Sequence, residues 1–296
     1  MLWSRKEERC CTRIVLICLL FLLLTLPAPL LARELIFSPL PMMQPALVTR
    51  HARPMLTYLE KQLHEPIGIK FHKNYEDILT SFCEDRIDLA YLGPLPYIQL
   101  QKKCDKIFPV VRFVNKKGKA TYTCSIITDA ELGVQRLQDL RGKKIALTQP
   151  LSTCGYLMTD VLLRKAGLRL ADTRYRYVGN HRKVALTVVR GEADGGGIKT
   201  SIAHKYEHLG IRFLARTPPL PGFLLVANGA TMTPGEIATI RTALLRLHPL
   251  TDPTDAKITS NWGERIRYGA IPVNDSDYDI IRKELARTPI PTTGND

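Results

Sequence analysis

The feature that most constrains this chain is the alternation of strand-like and helix-like segments that begins after Ala32. Residues 34–38 form a short apolar strand ending in a proline-rich turn, and 46–64 read as a helix with Leu47, Met55, Leu59 and Leu63 near one stripe. The order continues with a strand at 67–72, a helix at 75–84, and a buried strand at 87–92 stopped by Gly93 and Pro94. A helix at 97–103 follows, then strands at 107–114 and 120–128 joined by the basic turn 115–119. A second series places strands at 144–148, 174–178, 193–198 and 211–216 between helices at 152–166, 182–190 and 201–207. A strand at 223–227 returns to the first half, and helices at 234–247 and 278–286 complete the chain. This rhythm predicts α/β lobes with mixed or parallel sheets. At about 150 residues per domain, 296 residues predict two domains or lobes. A hydrophobic fraction of 45% against 24% charged excludes wholesale disorder.

The first 32 residues read as an export signal. Arg5, Lys6 and Arg13 supply a basic start, 14–26 an apolar run, and Pro27, Pro29 and Ala32 a break and exit. That run falls short of the roughly 20 residues of a bilayer span, so a cleaved signal peptide and an exported protein are expected; an uncleaved membrane anchor is the competing expectation. Cys10, Cys11 and Cys18 lie in this segment, and Cys83, Cys104, Cys124 and Cys154 remain beyond it. Their spacing matches neither a zinc knuckle nor a redox pair, so two disulfides and buried thiols both stay open, with no pairing readable.

Forty-two Lys and Arg against 28 Asp and Glu give a formal charge of +14, and the basic excess persists beyond residue 32. An anionic partner is implied: nucleic acid, a membrane surface or a small acidic ligand. The basic residues are scattered and no nucleic-acid motif is present, which argues against the first. No HExxH, Walker or Rossmann pattern occurs, and no cofactor or metal is expected.

The candidate anion site is Ser152, Thr153, Cys154 and Gly155, between a strand and a helix. The first amides of a helix lack intrahelical partners and sit at the positive end of its dipole, and the two hydroxyls add donors. An ordinary N-cap explains Ser and Thr there equally well. Tyr91 and Tyr97 flank Gly93 and Pro94 at the carboxyl end of a buried strand, where α/β sheets bind ligands; core packing is the alternative for each. His181 follows Asn180, a candidate helix cap, and offers a donor. Lys199 ends a strand carrying Gly195, Gly196 and Gly197, residues that let backbone approach a ligand or a facing strand. Cys154 near a helix start, with His181 as base, is a weak enzymatic alternative.

Three segments in order, YEDILTSFCEDRIDLAYLGPLPY (75–97), KIALTQPLSTCGYLMTDVLLRKAGL (144–168) and VGNHRKVALTVVRGEADGGGIKTS (178–201), resemble the phosphate/phosphite/phosphonate-binding proteins of bacterial ABC importers, the phosphonate-binding branch of the type 2 periplasmic binding fold. The resemblance covers nearly all the chain after residue 32. It implies an α/β, two-lobed fold with two crossover strands: lobe one at 33–120 and 223–296, lobe two at 121–222, and a small phosphorus oxyanion clamped between them. It further implies a monomer delivering its ligand to a membrane ABC permease, with no catalysis; a sensory module signalling to a membrane kinase or cyclase is the alternative. Tyr91, Ser152, Thr153, Cys154, Gly155, His181 and Lys199 carry over as pocket groups; for Tyr97 a place in the pocket and a turn into lobe one both stay open. Two departures stand out. Family members commonly carry Ser or Ala where Cys154 stands, and many carry an acidic or amide side chain where this chain has Lys199. A lysine there repels an amino group, so an aminoalkylphosphonate is not the expected ligand.

Overall fold

The computed structural model describes residues 33–296; the expected signal segment lies outside the described residues. The strands are β1 (Leu35–Pro39), β2 (Ile67–Ile69), β3 (Leu89–Leu92), β4 (Ile107–Phe113), β5 (Thr121–Tyr122), β6 (Cys124–Asp129), β7 (Lys144–Leu147), β8 (Arg174–Tyr177), β9 (Gly195–Lys199), β10 (Ile211–Arg216), β11 (Leu220–Pro221), β12 (Leu224–Asn228) and β13 (Ala270–Ile271). The α-helices are α1 (Pro45–Leu63), α2 (Tyr75–Cys83), α3 (Pro94–Lys103), α4 (Met158–Lys165), α5 (His181–Val189), α6 (Thr200–Ala203), α7 (Pro234–Leu245), α8 (Pro253–Thr259) and α9 (Asp279–Leu285).

The strands sort into two mixed sheets. The first runs β13-β4-β12-β3-β1-β2 and the second β10-β6-β9-β7-β8. In the first, β1 pairs parallel with β2 and β3, whereas β12 returns antiparallel between β3 and β4. In the second, β7 pairs parallel with β8 and β9, and β6 is antiparallel to β9 and β10. Every residue of β3 and β12 is buried, as expected of central strands covered on both faces.

Between the sheets the chain crosses twice, through β5 outward and β11 back, and these two strands pair antiparallel as a separate ribbon. The single strand expected at 120–128 is therefore two. Thr123 turns out of the ribbon, its carbonyl accepting the Thr200 amide at 3.0 Å, and the Thr217 hydroxyl caps the Cys124 amide at 3.1 Å. Helix α8, which has only a short apolar pattern, is absent from the periodicity reading; Asp252 caps it by accepting from the Thr254 and Asp255 amides. After α9 the tail leaves the first sheet. Asn295 Oδ1 accepts the Tyr175 amide at 2.6 Å and its Nδ2 donates to the Thr173 carbonyl at 3.0 Å, so the C-terminus lies along β8.

The four cysteines beyond the expected signal pair as Cys83–Cys104 and Cys124–Cys154. The first joins α2 to the residue after α3, and the second joins β6 to the turn before α4. Among the described residues no helix is long and apolar enough to cross a membrane.

Candidate functional site

Three helix beginnings converge on the cleft between the sheets. Helix α3 starts at Pro94, whose missing amide costs nothing at a first helical position. Helix α5 starts at His181, with Asn180 Oδ1 accepting the Lys183 amide at 3.0 Å. The third is a widened turn at 153–157 that leads into α4. Here the Tyr156 and Leu157 amides both return to the Ser152 carbonyl, at 3.1 and 3.2 Å, and the i→i+5 bond marks a π-turn, a distortion frequent at functional sites.

That turn determines which donors stay available. Ser152 Oγ accepts the Gly155 amide at 3.0 Å, and Thr153 Oγ1 accepts the Leu95 amide of α3 across the cleft, also at 3.0 Å. Each hydroxyl is thereby oriented as an acceptor and keeps its own proton to donate. Among the described residues no hydrogen bond engages the Thr153 and Cys154 amides. Gly155 has a different part from the one expected: its amide is committed to Ser152, and its missing side chain is what lets the turn pack onto Thr148, into which a Cβ would run. Cys154 also departs from expectation. Its sulfur is bonded to Cys124, so it offers no thiol as ligand donor or nucleophile, although the residue forms part of the pocket wall.

Ser152, Thr153 and Cys154 share a tight inner pocket with His181 and Lys199 on one side and with Tyr75 and Gly93 on the other. Its free volume is about 10 Å³, room for roughly one water. Among the described residues no Asp or Glu lines it. Tyr91 is elsewhere: its ring stacks on Phe223 and meets Phe113 edge-on, and it lines an outer chamber. Tyr97 turns into the first sheet's side, where its hydroxyl donates to Asp275 Oδ1 at 2.6 Å. The glycines of β9 serve packing, since a Cβ on Gly197 would run into the Thr159 hydroxyl of α4.

The residue that sequence reasoning missed is Tyr122, on the two-residue strand β5. Among the described residues its hydroxyl is buried beside the Thr153 side chain without a well-formed hydrogen bond, and its side chain lines the inner pocket. An unpartnered buried hydroxyl costs about 1–3 kcal/mol, which a ligand oxygen would recover. A lone tyrosine after a basic turn carries no periodic signal, so only the crossover geometry reveals it.

Residues 37–278 match the family of ABC transporter, phosphonate, periplasmic substrate-binding proteins. The chain belongs to this family. It is 22% identical over 250 residues to the phosphate-import protein PhnD of Mycolicibacterium smegmatis, covering 77% of this chain and 78% of that protein. The fold superposes with a TM-score of 0.74 on PhnD1 of Prochlorococcus marinus in complex with methylphosphonate, at 16% identity over 86% of this chain and 97% of that one. A binding-protein component of an ABC phosphonate transporter from Pseudomonas aeruginosa gives a TM-score of 0.71 at 16% identity, over 86% and 85%. The solved relatives share its two-lobed architecture.

In this member of the family the electrostatics of the pocket favour anions. His181 is buried, and desolvation first, then the fields of Arg265 and Lys199, lower its pKa to about 3. It is therefore neutral near pH 7. Because Nδ1 accepts the Lys199 amide at 3.3 Å, the ring proton sits on Nε2, where it can be donated. Lys199 Nζ lies 4.8 Å from the ring centres of both Tyr122 and Phe223, and desolvation followed by the field of Arg265 brings its pKa down to about 7. An anion beside it would restore its full charge.

Proposed function

We propose that the chain binds a small phosphorus oxyanion between its lobes, with Ser152, Thr153, Tyr122, His181 and Lys199 as the contacting side chains, and presents the closed form to a membrane permease. The observation that carries this reading is the inner pocket itself: hydroxyls, helix-end amides, a neutral histidine and a lysine converge there with no carboxylate in its lining. Such preorganised donors, aimed from three helix starts into a site with little water, bind an oxyanion without altering it. The family's role as transport binding proteins, and the M. smegmatis relative named for phosphate import, support the same class of ligand. No free thiol remains at Cys154 to support a cysteine mechanism.

The lobes in this reading are 33–120 with 223–288, and 121–222 with the tail 289–296. Room for about one water in the inner pocket means that a tetrahedral oxyanion enters while the lobes are apart. The Thr153–Leu95 bond and the bond from the Tyr75 amide to Gln149 Oε1, at 3.0 Å, then close across it. The protein acts as a periplasmic monomer.

Calorimetric titration with phosphate, phosphite, methylphosphonate and 2-aminoethylphosphonate tests the proposal. Binding of one or more of the amine-free anions ahead of the amino compound is expected, since Lys199 and Arg265 oppose an ammonium group. Tightest binding of 2-aminoethylphosphonate would overturn that preference.

A further inference from the structure

Outside the inner pocket lies a second space of about 290 Å³, and Tyr122, Lys199 and Phe223 line both. Lys116, Lys117, Lys119, Lys205 and Arg265 also face this outer chamber, against a single carboxylate, Glu264. The lysines of the 115–119 turn are exposed and solvated. Arg265 differs. It is half-buried, and among the described residues no ion pair engages it; Nη1 makes a weak donation to Met42 Sδ at 3.4 Å.

The position of Arg265 is fixed by its neighbours in the turn after α8. Trp262 and Ile266 are buried, the Gly263 amide donates to the His51 carbonyl at 2.9 Å, and the Ile266 amide donates to the Gly263 carbonyl at 2.9 Å. Arg265 belongs to the return part of the chain beside the first sheet, and Lys199 ends β9 in the second. Approach of the sheets thus holds two cations around one chamber, neither in an ion pair among the described residues although the field of Glu264 reaches Lys199, and the field of Arg265 reaches Lys199, His181, Tyr75 and Tyr91. Like charges held together in a partly dry space oppose closure unless an anion sits between them. The planar guanidinium fork suits a carboxylate or phosphate in two-point contact.

We infer that, if the phosphorus-oxyanion reading holds, the ligand is bis-anionic: an organophosphonate or phosphate ester whose head enters the inner pocket and whose second acidic group is held in the outer chamber by Arg265 and Lys199. The inner pocket supplies neutral donors and Lys199 for the head, and the outer chamber adds Arg265 on the far side of that lysine. The second group also explains why Lys199 stands at the boundary of both spaces.

The test is titration of the purified chain with methylphosphonate, phosphonoacetate and 3-phosphonopropionate at fixed ionic strength, repeated with Arg265→Met and Arg265→Lys. At least one phosphonocarboxylate is expected to bind ten-fold or more tighter than methylphosphonate. Arg265→Met should weaken the phosphonocarboxylate at least ten-fold more than methylphosphonate, and Arg265→Lys should recover part of the difference. Equal or tighter binding of methylphosphonate by the wild-type chain overturns the inference while leaving the oxyanion reading standing. The wild-type comparison holds whether or not a variant folds. Failure of all three compounds, and of phosphate and phosphite, overturns the oxyanion reading and this inference with it.

Discussion

Tyr122 separates binding from folding more cleanly than any other pocket residue. Among the described residues its hydroxyl has no well-formed hydrogen bond and lies beside the Thr153 side chain, so Tyr122→Phe removes little that the folded chain uses. Stability in urea should therefore stay within about 0.5 kcal/mol of wild type or rise slightly. Affinity for the anion should fall about ten-fold or more, because a hydrogen bond to a charged group contributes roughly 1.5–3 kcal/mol; calorimetry of the variant measures it. His181 gives a second expectation. Its folded-state pKa of about 3 lies below the ordinary 6.5, so the unfolded chain takes up a proton that the folded chain refuses across that interval. The contribution is complete above pH 6.5 and is lost as the pH falls toward 3. Urea midpoints measured between pH 7 and 4.5 should drop more steeply for wild type than for His181→Asn. The two hydroxyls at 152 and 153 were legible in the sequence because helix starts have a chemical signature. Tyr122 and Arg265 were not, because each sits on a short, non-periodic segment and gains its place only from the meeting of distant parts of the chain.

At the scale of elements, the alternation of strands and helices in the sequence corresponds to the alternation in the two sheets, since burial on both faces demands long apolar runs at β3 and β12. The crossover ribbon was not separable from β6, because a two-residue strand has too few side chains to show a period. The π-turn was likewise hidden: Ser-Thr-Cys-Gly reads as an ordinary cap, and the wider turn arises where Gly155 packs onto Thr148. The pairing of Cys124 with Cys154 depends on this same packing and fixes the floor of the candidate socket to β6. Replacing both cysteines with serine opens a loop whose ends are 30 residues apart, and the expected loss is about 3.6 kcal/mol, read from urea unfolding under non-reducing conditions. The same double variant should also bind the anion more weakly, because the Thr153 and Cys154 amides lose their anchor. Unchanged affinity would mean that the turn holds its shape without the bridge.

Across the whole molecule, the two sheets are linked by the β5–β11 ribbon and bridged again by the C-terminal tail. Arg164 of α4 donates to Glu284 of α9 at 2.9 Å, and the Tyr156 and Tyr177 hydroxyls donate to the Pro289 and Pro291 carbonyls. The chain therefore folds as a clamp with its end fastened to the opposite jaw. The overall charge takes on a narrower meaning in this light. The basic excess was visible in composition, but its arrangement was not: the solvated lysines of the 115–119 turn face the mouth, while Lys199 and Arg265 lie deeper. On the proposed reading, attraction at the rim and recognition inside are distinct tasks, and only the second requires buried donors. On the proposed reading the anion sits in the inner pocket between the lobes. A crystal structure of the purified chain with methylphosphonate tests it directly. Phosphonate oxygens are expected within about 2.7–3.2 Å of Ser152 Oγ, Thr153 Oγ1 and Tyr122 Oη. Phosphonate found only among Lys116, Lys117 and Lys119 at the rim, with those three hydroxyls uninvolved, would contradict it.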